Sequence, residues 1–108
     1  DSGPSPWLRG NARSNSSSNV LISTLSSLNK VCGHLGLLGP PLRGTIERAL
    51  DVGESAITIL EVFQDSETQG MLDLVDMKLR TLENKAIEPH NQEMFASARK
   101  NVARLMMN

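Results

Sequence analysis

Aromatic residues are scarce in this chain of 108 residues: Trp7, Phe63 and Phe95, and no tyrosine. A core must then be assembled from Leu, Ile, Val, Met and Ala, a palette that suits helices better than a β-sandwich. There is a single cysteine, Cys32, which excludes an internal disulfide. Histidine is limited to His34 and His90, too few to build a metal site with Cys32 at workable spacing. No apolar run is long enough for a spanning segment or shaped like a signal peptide. No Gly-rich phosphate loop is present, because Gly33, Gly36 and Gly39 follow no strand and lead into prolines. These absences point to an intracellular setting, nuclear or cytoplasmic, with no membrane and no cofactor. The chain begins at Asp1 rather than at a methionine and reads as an excerpt of a larger protein.

The net charge of −1 hides an uneven distribution. Residues 1–48 carry five basic and two acidic groups, residues 49–93 three basic and ten acidic, and residues 94–108 three basic and none acidic. That balance does not describe a strongly basic nucleic-acid domain, and it leaves an acidic middle able to attract basic surfaces.

Residues 1–18 mix Pro, Gly, Ser and Asn without periodicity and read as a disordered leader, with a domain over 19–108. Within the leader, Trp7-Leu8 has the look of a docking motif and Ser5-Pro6 of a phosphorylation site, although such pairs are common in linkers. Asn15-Ser16-Ser17 matches a glycosylation sequon by chance in a Ser/Asn-rich tail.

The remainder has helical period throughout and no strand period. A first helix over 19–37 has Asn19 as N-cap and the stripe Leu21, Leu25, Leu28, Cys32 and Leu35. The apolar connection that follows either tucks Leu37 and Leu38 over the bundle end or presents them to a partner; tucking is the reading preferred. A second helix over 40–64, begun by Pro40 and Pro41, gathers Leu42, Ile46, Ala49, Leu50, Gly53, Ala56, Ile57 and Leu60 on one face, with Val52, Ile59 and Phe63 widening it. Gly53 between Ala49 and Ala56 suits close approach of another helix; a break at Asp51-Val52-Gly53 is the alternative.

A third helix over 66–84 is expected to open on a Ser66/Gln69 capping box and to bury Leu72, Val75, Leu79, Leu82 and Ala86, with Met77 facing away. Asp73 and Asp76 in its first half, with Lys78, Arg80 and Lys85 in its second, match the helix dipole. Pro89 starts a fourth helix over 89–107 with the stripe Met94, Phe95, Ala98, Val102, Leu105 and Met106. The short connection makes helices three and four an antiparallel hairpin. The expected fold is all-α, a small four-helix bundle behind a disordered N-terminal leader.

No catalytic constellation emerges. Cys32 occupies a slot in an apolar stripe, where cysteine acts as a small hydrophobe, and His34 diverges from it on a helix. The carboxylates project from outer faces rather than into a cleft, so no enzyme is expected. The function expected is a protein–protein interaction module, scaffolding or oligomerising. The candidate contact residues are the acidic ridge Glu47, Asp51, Glu54 and Glu61, together with Leu37, Leu38 and Met77. The ridge would take a basic partner segment, or it is a solvated face or a surface for Arg99, Lys100 or Arg104. A homo-oligomer is also compatible. The alternative function is a nucleic-acid-associated regulatory domain using that basic C-terminal helix. No aromatic stands between its cations to stack a base, and Glu88 and Glu93 flank the polar His90, Asn91 and Gln92.

Overall fold

The computed structural model describes the backbone of residues 6–52 and 55–106, and the side chains of 19–51 and 55–106. It is all-α, in the order α1 (Pro6–His34), α2 (Pro40–Val52), α3 (Ala56–Val62), α4 (Ser66–Lys85) and α5 (Pro89–Met106). No strand occurs among the described residues.

Two expectations about the first helix change. α1 runs through residues 6–18, so Asn19 lies inside the helix rather than capping it. Extending an existing helix by a residue costs far less than nucleating one, which lets a Ser/Asn-rich stretch continue it. The candidates at Ser5 and on the Trp7 and Leu8 side chains lie outside the described residues. At its other end α1 stops at His34, short of residue 37. Gly36 adopts φ +73°, its N–H donates to the Gly33 carbonyl (3.1 Å), and the Leu37 N–H reaches back to the Cys32 carbonyl (2.9 Å). This is a Schellman C-cap, in which the left-handed residue must lack a Cβ to avoid strain. It turns Leu37 back over Cys32, and Leu37 and Leu38 are half-buried against the core.

The expected central helix over 40–64 is instead two helices. α2 ends at Val52, and Ser55 caps α3, its Oγ accepting from the Thr58 N–H (3.1 Å). Among the described residues, five helices therefore replace the expected four. Gly53 lies outside the described residues, as does the close approach proposed for it. The interruption resets the helical phase: Ile59 and Phe63 are fully buried, whereas Ile57, expected on the inner face, is 73% exposed.

α4 is capped by Asp65 rather than by a Ser66/Gln69 box. The Asp65 carboxylate accepts from both the N–H and the hydroxyl of Thr68 (3.2 Å each), while Gln69 donates through Nε2 to the Phe63 and Leu105 carbonyls. One amide thus ties the end of α3, the start of α4 and the end of α5. The 86–88 connection returns the chain antiparallel: Gln69 meets Leu105, and Asp76 meets Arg99 (3.0 Å).

Among the described residues, sixteen apolar side chains form one core, drawn from every helix. Leu25, Cys32, Ile46, Ala49, Ile59, Phe63, Leu79, Val102 and Leu105 are completely inaccessible. α1 packs on α2, α3 and α5, and α2 on α3 and α4. Thr24 and Thr45 are buried beside this core, and each satisfies its hydroxyl on the carbonyl one turn earlier: Val20 (2.8 Å) and Pro41 (3.0 Å).

Candidate interaction surface

The outward side of α4 carries two large apolar side chains in the open. Its core side carries Leu72, Val75 and Leu79. At 100° per residue, Gly70, Leu74, Met77 and Thr81 share an arc of about 60° on the opposite side, and all four are exposed. Leu74 is 52% and Met77 53% exposed, one turn apart. Beside Leu74 an open groove is lined by Leu37, Gly39, Leu42, Met71, Val75 and Lys78. The Schellman turn delivers Leu37 to this groove, and the Pro40 start of α2 delivers Leu42. Met77 was legible in the sequence because it falls off the apolar stripe. Leu74 was missed; its signal is the i, i+3 spacing to Met77.

The acidic ridge comes out differently from its even spacing in the sequence. Glu47 and Asp51 are exposed on α2, and Glu61 is exposed on α3 in line with Ile57 rather than with them. The break between the two helices removes the common register that a single helix would have supplied. Glu54 lies outside the described residues. Neither Glu47, Asp51 nor Glu61 has an ion pair among the described residues.

The basic trio of α5 is only partly available. Arg99 is clamped between Asp76 (Nε to Oδ1, 3.0 Å) and Glu83 (Nη1 to Oε1, 3.0 Å) of α4. These hydrogen bonds, that to Asp76 first, hold its pKa above the ordinary arginine value. Arg104 donates to the Thr24 hydroxyl (3.3 Å) and the Asn101 side-chain carbonyl (3.1 Å). Lys100 is exposed and has no ion pair among the described residues. No protein-family model, curated protein or solved structure matches the chain.

Elsewhere, the Cys32 thiol is fully buried, and burial pushes its pKa up to about 11. At neutral pH it is a protonated apolar group, while His34 is exposed. No group of three or more His, Cys, Asp or Glu side chains is placed to hold a metal ion among the described residues. Among the described residues no helix is long and apolar enough to cross a membrane.

Proposed function

We propose that this chain is a protein–protein interaction module whose contact surface is the outer side of α4, extended by the Leu37 groove. The supporting observation is the pair Leu74 and Met77, each about half exposed, one turn apart on a helix whose opposite side is fully packed. Exposed apolar side chains scattered singly are ordinary, but adjacent ones continuous with an apolar groove form the desolvatable centre that interfaces use. The break between α2 and α3 weakens the case for the acidic ridge as a continuous strip. The engagement of Arg99 and Arg104 within the fold likewise weakens the nucleic-acid reading.

The test is a photo-crosslinking residue at Met77 in the source cells, with the same residue at exposed Ser26 on α1 as control. An adduct with a polypeptide at position 77 that is absent at 26 and is lost on Leu74→Lys supports the assignment. The acidic ridge is scored separately: Glu47→Lys with Asp51→Lys should leave the adduct intact. No adduct at 77, or the same adduct at 26, overturns the proposal.

A further inference from the structure

The charges along α4 name a partner for this surface. Glu67 and Asp73 lie in the first half of the helix, Arg80 and Lys85 in the second, and the exposed Leu74 and Met77 between them. Angular position matters as much as order. Glu67, Lys78 and Lys85 fall on one flank of the Gly70–Leu74–Met77–Thr81 arc, and Asp73 and Arg80 on the other. All are exposed. Glu67, Asp73, Lys78 and Lys85 have no ion pair among the described residues. Arg80 reaches Asp76 only at 3.8 Å, and that carboxylate is already held by Arg99 at 3.0 Å, so the Arg80 guanidinium is available.

A two-fold axis perpendicular to two antiparallel helices keeps each flank facing its own copy and exchanges the two halves. Glu67 then meets Lys85 of a second molecule, and Asp73 meets Arg80, each pair formed twice. The midpoint of the first pair is residue 76, and that of the second lies between 76 and 77, so one axis serves both. Leu74 and Met77 straddle that axis and close on their symmetry mates. Parallel pairing brings opposite flanks together instead. It sets Lys78 near Arg80 and leaves both carboxylates without a cation, whereas the antiparallel pair has one like-charge contact, Lys78 with its own mate about 6 Å away along the axis, against four opposite-charge pairs.

We infer that the outer face of α4 is a self-association surface, on which a second copy of this chain packs antiparallel about a dyad near residue 76. The inference rests on the interaction reading above and deepens it by naming the partner. Glu67 and Lys85 stand about 27 Å apart along the axis at 1.5 Å per residue. One helix pair of that length is at the small end of specific interfaces, so the dimer should be concentration-dependent and weakened by salt.

Sedimentation of the purified chain from micromolar to millimolar concentration should show a monomer–dimer equilibrium. The double variants Glu67→Lys/Asp73→Lys and Arg80→Glu/Lys85→Glu should each move its midpoint at least about tenfold upward, because every cross-pair becomes repulsive. An equimolar mixture of the two should dimerise again, since each then supplies the opposite charge. Cysteine pairs test orientation, with Cys32 buried and protonated and so silent. Gly70 tolerates a Cβ, having open space around it. Mixed Gly70→Cys and Thr81→Cys chains should oxidise to the heterodimer, whereas homodimers through position 70 would mean parallel pairing and overturn the inference. A monomer at all concentrations overturns it as well. If the position 77 crosslink to another polypeptide persists in that case, the interaction reading stands without it; if the crosslink is also absent, both fall.

Discussion

Raising the pH should destabilise this protein through one atom, the Cys32 sulfur. The side chain is completely inaccessible and its pKa is raised from 9.0 to about 11 by burial. In the unfolded chain the thiol ionises near its ordinary value; in the folded protein it stays protonated. Because the folded pKa is the higher one, the contribution is fully present below about pH 9 and is lost as pH rises towards 11. Each pH unit in that window costs up to 1.36 kcal/mol, so the loss reaches about 2–3 kcal/mol by pH 11. Against a typical domain stability of about 5–15 kcal/mol that is a readily measured fraction. The chain has no tyrosine. Every other charged group is common to parent and control, so the comparison is with Cys32→Ala. Urea midpoints measured from pH 7 to 10.5 should fall more steeply for the parent than for Cys32→Ala, which starts lower because of the smaller side chain. Thiol reagents should react with the folded parent only at its unfolding rate. Parallel pH profiles for the two proteins, or rapid alkylation of the folded chain, would refute the reasoning.

Three further outcomes are expected. Phe63→Ala should cost about 3–5 kcal/mol, read as a large fall in melting temperature, because Phe63 is completely buried where α3 meets the core. Gly36→Ala should cost about 1–2 kcal/mol, with Gly36→Asn recovering part, since only the φ of +73° penalises a side chain there and its Cβ position is open. Arg99→Ala should cost about 1–2 kcal/mol by leaving half-buried Glu83 without a cation and Asp76 with only Arg80 at 3.8 Å. A double-mutant cycle with Glu83→Gln should give a nonzero coupling energy if the clamp contributes, and none if it does not.

What the sequence determined by itself was periodic. Leu21, Leu25, Leu28 and Cys32 on α1, Leu72, Val75 and Leu79 on α4, and Phe95, Ala98, Val102 and Leu105 on α5 recur at helical spacing, and all are buried. Burial of a stripe is a local consequence of the 3.6-residue turn, so it needs no knowledge of neighbours. The proline starts of α2 and α5 were legible for the same reason. The tertiary structure decided whatever required a second element. Either one helix or two would present an apolar face over 40–64. The break that buries Ile59 and Phe63 while turning Ile57 out is settled by the joint packing of α2 and α3 with α1 and α4. Gln69 looked like a local cap partner, yet its amide bonds lie with Phe63 and Leu105, the latter 36 residues away. Arg99 looked like part of a basic patch until α4 brought Asp76 and Glu83 against it. Leu74 is apolar and would fit a core; it is exposed because the buried side of α4 is set by Leu72, Val75 and Leu79 against the rest of the bundle. Side-chain spacing fixes which residues of a helix share a face, and only the other helices determine which face is covered.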